Sequence, residues 1–422
     1  MTTDVATAMN DRHIVIIGAG IVGVSIADEL TARGISRVTV IDKGRAPAFG
    51  GSTSHAPGMV FQLHQNPTMS QFAQHTVDLL SDLADADGPV WTRTGSLELA
   101  DSDEWESILR RRAQIGRDAG LDIQILTPTE CVQHQPILDT DAFRVGIHDP
   151  GDGVVHVIRA AAERLRRAVA RGAQLRDETE VTGFEIVDER IVGVRVGDEI
   201  IPADDVIVAA GIWGEVLSEM AGEHVPVMPF VAPGGFTGPL ASLADATADA
   251  RGPIIRFADA ALTMRERRDS LEFGYSQHAP TPVDPRTLLS FDEAEEMPSI
   301  LEFHPEIVDA GWPKVNRLVP DTRGTAYARG QHGVMATTPD NLPLLGPSSA
   351  VGGLWYAEQI WVTHSAGAAL AVAEWVADGE STTFDVSEMH ADRFSGISAE
   401  ELYQRNLDSI DLFGLQRKVV EV

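Results

Sequence analysis

The stretch HIVIIGAGIVGVSIADELTARGISRVTVID, residues 13–42, decides how this chain is read. Four β-prone apolar residues, Ile14 to Ile17, lead into glycines spaced as Gly18-x-Gly20-x-x-Gly23. A run with helical spacing follows from Ile21 to Arg33, then a second apolar run, Val38 to Ile41, which ends on Asp42. Strand, tight turn, helix, strand and acid in this order describe a Rossmann-like dinucleotide site. Gly18 allows the turn, Gly20 lets the backbone approach a pyrophosphate, and Gly23 lets the helix close on the sheet. The helix N-terminus then faces the phosphate charge. Asp42, 22 residues past Gly20, is placed to accept hydrogen bonds from a ribose. This stretch alone does not separate FAD from NAD.

Working outward, 422 residues allow two domains or one large discontinuous one, and 43% hydrophobic residues support a full core. The formal charge is −30, with 3 Lys against 30 Arg. So acidic a balance argues against nucleic acid and anionic membrane surfaces as partners. The single cysteine, Cys131 in TPTECVQ, forbids an internal disulfide, suits a reducing compartment and reads as structural, at a helix start. MTTDVATAMNDR has neither a basic nor an apolar segment, so no secretory signal is expected. The longest soft apolar run, Ala366 to Ala377, is shorter than the roughly 18 residues a membrane span needs. The expectation is a soluble cytoplasmic protein with no metal site.

Past Asp42 comes a loop of small residues, GGSTSHAPG, Gly50 to Gly58, whose backbone is suited to pass close to a ligand. Pro67 to Leu83 has helical spacing, Trp91 to Ala100 alternates like a strand pair, Trp105 to Ala119 is an Arg-rich helix, and Pro128 opens another. HDPGDG, 148–153, is a turn, and Ile158 to Arg171 an amphipathic helix. VTGFEIV and RIVGVRV, joined by Asp188-Glu189, read as a hairpin, followed by the buried-type strand Val206 to Ala210. Pro226 to about Thr325 reads as strand and loop, punctuated by Pro and Gly, with no long clean helix before Phe291. Nucleotide-fold patterning then returns with Leu342 to Gly346, Leu354 to Ala357, and a helix Ala368 to Ala377, which Ser365 would cap. The tail from Thr382 is polar and helix-prone, suited to the surface.

In order, GAGIVG, GGSTSHAPG, VIVAAGIWG, TPDNLPLLG and WVTHSAG resemble the FAD-dependent amine oxidoreductases of the D-amino acid oxidase superfamily, in the branch of dimethylglycine oxidase and the sarcosine dehydrogenases. The resemblance covers Arg12 to about Phe394. It implies an α/β plus α+β fold: a discontinuous Rossmann-like FAD-binding domain (11–85, 151–215 and 335–385), an antiparallel-sheet substrate domain (86–150 and 216–334) and a tail (386–422). It implies FAD bonded covalently to His55. It further places Ile21, Val22, Asp42, Lys43, Ser52, Thr53, Ser54, Met59, Val181 and the loop Val362, Thr363, His364, Ser365 against the cofactor, with Gly18, Gly20 and Gly23 forming the turn. A neutral imidazole is a competent nucleophile toward an activated flavin methyl. The helix behind Ser365 would lend partial positive charge to a reduced ring.

Two departures follow. Long members of that branch carry a C-terminal tetrahydrofolate domain. This chain ends at Val422, and YQRNLDSIDLFGL, Tyr403 to Leu415, looks like the start of its linker, so no folate site is expected and formaldehyde would leave into solvent. The His and Tyr over the flavin in dimethylglycine oxidase correspond to Ala232 and Thr263, which implies a roomier pocket and an amine other than dimethylglycine.

The expected chemistry is hydride transfer from a secondary or tertiary N-methyl amine to FAD. The iminium would hydrolyse to formaldehyde and a demethylated amine, with oxygen or an electron-carrier protein as acceptor. With Ala232 and Thr263 unable to handle protons, Tyr275, His278 and His332 are the candidate bases. Arg256 and Arg265 are candidates to fork a substrate carboxylate. The alternatives are oxidation of an amino or imino acid, such as a proline derivative, on the same fold, and a flavin-holding subunit of a larger amine-oxidising complex. The amine, the acceptor and the oligomeric state are left open.

Overall fold

The protein is described here by a computed structural model covering residues 11–413. At its centre lies a six-stranded sheet in the order Gln174–Arg176, Val38–Ile41, Ile14–Ile17, Asp205–Val208, Leu354–Glu358, Leu344–Pro347. The first five strands run parallel and the last is antiparallel. Strand Ile14–Ile17 is buried along its whole length because both faces are covered. Ile14 and Ile16 pack with the helix layer of Ile21–Ala32, Val157–Ala170 and Ser365–Asp378. Val15 and Ile17 pack toward the antiparallel sheet Gly183–Val187, Arg190–Val196, Glu199–Pro202. An unbroken apolar run is what a parallel strand covered on both sides requires. At the tip of that antiparallel sheet Asp188 and Glu189 both have positive φ, 50° and 58°, the conformation a two-residue hairpin turn of the I′ type demands.

The glycine turn is set by contact. Gly18 has φ +107°, and a Cβ there would lie 2.3 Å from the Ala209 carbonyl oxygen. A Cβ on Gly23 would lie 1.9 Å from the Gly18 carbonyl oxygen, so the helix touches the turn through bare backbone. Buried Arg164 joins two helices of the layer, reaching Asp28 at 3.0 Å and Glu29 at 2.9 Å.

Beside this body a nine-stranded sheet runs Ile300–Leu301, Arg329–Thr337, Met228–Phe236, Ser270–Tyr275, Leu262–Arg267, Ile254–Phe257, Ser96–Ala100, Val145–Asp149, Gln124–Leu126. Its pairings are antiparallel apart from Ile254–Phe257 with Ser96–Ala100. Cys131 is buried in helix Pro128–His134 behind this sheet, where burial pushes its thiol up to about 12.

Several expectations are corrected. Trp91–Thr92 and Ser96–Ala100 do not pair with each other: the first joins a small sheet with Gly153–Val155, the second the large one. The middle segment has no long helix before Phe291, as expected, and past it forms the helix Pro305–Leu318. Pro305 takes its first turn, where no donor is needed, and Pro313 is exposed opposite the buried face of Val308, Gly311, Val315 and Leu318. The late helix starts at Ser365 rather than Ala368, and the Ser365 hydroxyl donates to the Val362 carbonyl at 2.9 Å instead of capping. The tail carries a helix packed on the surface, as expected. Helix Ala399–Phe413 packs Leu407 and Ile410 on Met228, Phe230 and Met335, and Ser409 bonds Thr337 at 2.9 Å. Residues 414–422, including Gly414 and Leu415 of the linker-like stretch, lie outside the described residues, as do residues 1–10 of the N-terminal segment.

The Gly23 contact gives a stability prediction. Gly23→Ala should cost roughly 3 kcal/mol, the upper end for overpacking, because backbone on both sides cannot yield. Gly238→Ala, where nothing lies within 4 Å of the new methyl, should stay within about 0.5 kcal/mol. Urea unfolding of both variants checks this; a Gly23→Ala loss below 1 kcal/mol would show that the helix can move off the turn.

Candidate active site

The C-terminal ends of the parallel strands open onto a cavity of about 490 Å³, closed on its far side by the nine-stranded sheet. Gly18, Gly20, Ile21, Val22, Asp42, Lys43, Ser52, Thr53 and Val181 line one end. Asp42 accepts from the Ala19 N–H and the Gly44 N–H, each at 2.7 Å, so it fixes the turn before it can meet a ligand. Burial pushes its carboxyl up, and those two N–H groups oppose the shift. The Lys43 ammonium lies 4.1 Å from the centre of the Trp213 ring. Thr53 Oγ1 accepts from the Ile21 N–H at 3.1 Å, joining the small-residue loop to the first helix.

His55 stands in the cavity wall on that loop. Burial pulls its imidazole down to about 4, so it is neutral near pH 7. A Cβ on Gly333 would lie 2.5 Å from Nδ1 and Cε1 of the ring, which fixes that edge against the backbone. The other nitrogen, Nε2, is buried without a hydrogen-bond partner. The loop is braced from outside: Ser52 Oγ donates to the Val334 carbonyl at 2.7 Å, and Arg265 donates to the Pro57 carbonyl at 2.5 Å.

The opposite end is lined by Phe61, His64, Arg256, Tyr275, His278 and Trp361, with Ala232, Thr263, Met59, Val362, Thr363 and His364 around the middle. Arg256 lines the cavity, donates to Glu98 at 2.7 Å and stacks 4.0 Å from the Phe61 ring centre. Buried Glu98 also accepts from Arg112 at 2.8 and 2.9 Å. Burial works against its ionisation, but the two guanidiniums outweigh this and hold the carboxyl below its usual range.

Two imidazoles here have opposite tautomers. His64 Nδ1 accepts from the Asn66 N–H at 3.0 Å, which puts the proton on Nε2. Ser70 grips the same residue at both its N–H and its carbonyl. Burial, then the charges of Arg112 and Arg256, pull His64 down to about 4. His278 Nδ1 lies 2.8 Å from the Ala279 carbonyl and must carry the proton, which leaves Nε2 as a base. His364 meets His64 edge to face at 5.8 Å, with its Nδ1 buried and unpartnered.

Five expected residues do not reach the cavity. His332 is buried, with its nitrogens 3.0 Å from the His304 carbonyl and 3.2 Å from that of Gln331, so its ring is tied to backbone. Arg265 is committed to Asp249 and Pro57 and supports the loop instead of a substrate. Gly23 lies under the turn, Ser54 Oγ donates to Gly51, and Ser365 Oγ to Val362. Sequence reasoning missed Phe61, His64, Glu98, Glu358 and Trp361. No spacing motif marks His64 in FQLHQNP, and Glu98 reads as an ordinary strand residue until its two arginines are seen to converge.

The residues present fit a flavin dinucleotide: a bare-backbone turn at Gly18 and Gly20, and beyond it a buried imidazole nitrogen without a partner. A family model described as FAD dependent oxidoreductase, DAO, matches residues 13–378. The chain is 24% identical over 399 residues to human mitochondrial dimethylglycine dehydrogenase, covering 92% of this chain and 45% of that one. It is 26% identical over 403 residues to 4-methylaminobutanoate oxidase (formaldehyde-forming) of Paenarthrobacter nicotinovorans, covering 90% and 45%. It thus spans less than half the length of these relatives. Among solved structures, L-proline dehydrogenase from P. horikoshii superposes with a TM-score of 0.79 at 24% identity, covering 91% and 97% of the two chains, which shows a shared fold. None of the helices among the described residues is long and apolar enough to cross a membrane.

Glu98→Leu removes the carboxylate that two buried guanidiniums share. It should cost about 3–5 kcal/mol in urea unfolding, the range for breaking a buried ion pair. A loss under 1 kcal/mol would mean that Arg256 is held by something else.

Proposed function

This chain belongs to the DAO family of FAD dependent oxidoreductases, and from that premise we propose that it oxidises an N-methyl amine bearing a carboxylate. The products would be formaldehyde and the demethylated amine. The observation that carries this reading is His55: a neutral imidazole in the cavity wall, one edge packed on Gly333, its buried Nε2 without a partner. Nε2 is the nitrogen we assign to the covalent flavin link.

Gly18, Gly20, Ile21, Val22, Asp42, Lys43, Ser52, Thr53, Met59 and Val181 would hold the cofactor, with Val362, Thr363 and His364 toward its ring. Bound FAD supplies a two-electron acceptor for hydride from the carbon beside the amine nitrogen. The protein's part is to orient that carbon and keep the amine neutral. Arg256 would take the substrate carboxylate, with the His64 Nε2–H as a second, uncharged donor. Among the described residues at that end the carboxylate in the wall, Glu272, is engaged by Arg267 at 2.7 Å, so a bare anion does not hold the amine as ammonium. His278, through Nε2, is our candidate to accept the amine proton; Tyr275 lines the same wall without an assigned proton role. Ala232 and Thr263 are small where they face the cavity, which supports an amine longer than dimethylglycine. The name of the formaldehyde-forming relative supports the same chemistry.

Purified protein should be yellow, and the colour should stay with the acid-precipitated pellet; His55→Ala should release it to the supernatant. Gly333→Ala should lower the linked fraction by crowding the ring. A pellet that stays colourless while the native fold is confirmed would remove the covalent link. Mixed anaerobically with methylated amino acids, the protein should lose its flavin absorbance and release formaldehyde on turnover. Bleaching by cyclic imino acids without formaldehyde would favour dehydrogenation of a ring amine. Turnover only with an added partner chain would favour the subunit role. Arg256→Leu should raise KM for carboxylated amines roughly 10- to 100-fold, the worth of a charged hydrogen bond, and leave uncharged amines unaffected.

A further inference from the structure

Glu358 ends the parallel strand Leu354–Glu358, and its side chain is 0% exposed to solvent yet lines the cavity. One carboxyl oxygen, Oε1, accepts from the Ala210 N–H at 2.7 Å. The other, Oε2, is buried without a partner. Gly214 makes room for the group: a Cβ there would lie 2.6–2.9 Å from the carboxyl atoms. The next residue, Gln359, holds φ +56° without being glycine, and its Oε1 is also buried and unpartnered at the cavity. Two adjacent unsatisfied polar groups in a strained turn at a cavity call for a polar ligand.

Position names the ligand's section. Across the sheet the strands ending at Asp42, Gly18, Ala209 and Glu358 are consecutive neighbours. Strands lie about 4.8 Å apart, so Glu358 stands roughly 10 Å beyond the glycine turn. A dinucleotide with its ribose at Asp42 and its phosphates at Gly18–Gly20 would bring its polyol section to Glu358. An ionised acid there would face phosphate charge with only backbone N–H groups for support. Burial pushes the Glu358 carboxyl well above its usual range, against the pull of the Ala210 and Gly211 N–H groups. A protonated carboxyl has one O–H to give, and a polyol or phosphate oxygen accepts it.

We propose that Glu358 is a cofactor-holding residue that donates a hydrogen bond from Oε2 to the section of FAD between its phosphates and its ring. The proposal rests on the flavin reading above.

The test uses the His55→Ala protein as parent, so that FAD binds reversibly, and titrates apoprotein with FAD by flavin fluorescence and with ADP by calorimetry. Glu358→Leu should weaken FAD about tenfold or more and leave ADP, which lacks the polyol, within about twofold. Glu358→Gln should keep FAD within about threefold, since an amide can accept from Ala210 and still donate. If Glu358→Leu loses its circular dichroism signal, Glu358→Ala takes its place in the comparison. FAD affinity indifferent to position 358, or FAD and ADP weakened alike, would overturn the assignment alone. A parent that binds ADP but no FAD would overturn the flavin reading and this proposal with it.

Discussion

Everything at this site depends on a contact between two stretches of bare backbone. The Gly18 carbonyl lies where a methyl on Gly23 would have to be, and Gly18 itself has no room for one beside Ala209. The contact sets how near the first helix comes to the sheet, and so where its N-terminal N–H groups point. Asp42 then takes up two more N–H groups of the same turn. The result is a rigid edge formed by the ends of four neighbouring strands, along which a dinucleotide can lie extended. The second sheet adds what the edge lacks: a wall, and through Gly333 a surface that orients the His55 ring.

Charge is handled differently inside than outside. A chain of net charge −30 would be expected to spoil any site for an anionic cofactor or substrate. Several acids at or beside the cavity are compensated locally. Glu98 is shared by two arginines, Glu272 is held by Arg267, Asp42 is pushed up by burial while it serves the backbone, and Glu358 is pushed up further without a cation near it. The acidic surface governs solubility and long-range encounters; the local pairings govern binding.

Where the local rule and the global role coincide, the sequence was readable. The 13–42 unit came out within one residue at each strand, because a parallel strand covered on both faces leaves a continuous apolar run and glycines mark the turn. The cavity side of the first sheet was legible for the same reason: a residue at a strand's C-terminal end has few places to go. The far side was not. Arg265 and Arg256 look alike in sequence, two strand arginines nine positions apart, yet one braces a loop and the other faces the cavity. The difference lies in partners, Asp249 and Pro57 against Glu98, that only tertiary pairing brings together. Past Phe291 the helix Pro305–Leu318 was not assigned from sequence, and its interior Pro313, which removes a helix hydrogen bond, blurs the helical signal.

The tautomers of His64 and His278 tie these strands of reasoning to chemistry. An amine gives up hydride only when its nitrogen carries a lone pair, so a pocket for the proposed reaction should avoid anions beside the nitrogen and still bind an acid at the other end. Neutral imidazoles satisfy both demands if their protons are placed. The backbone places them: the Asn66 N–H forces the His64 proton onto Nε2, and the Ala279 carbonyl forces the His278 proton onto Nδ1. Burial pulls both imidazoles below their ordinary value, so both stay neutral near pH 7. One therefore presents a donor beside Arg256 and the other an acceptor, a polarity fixed by two backbone groups with no net charge added to the cavity.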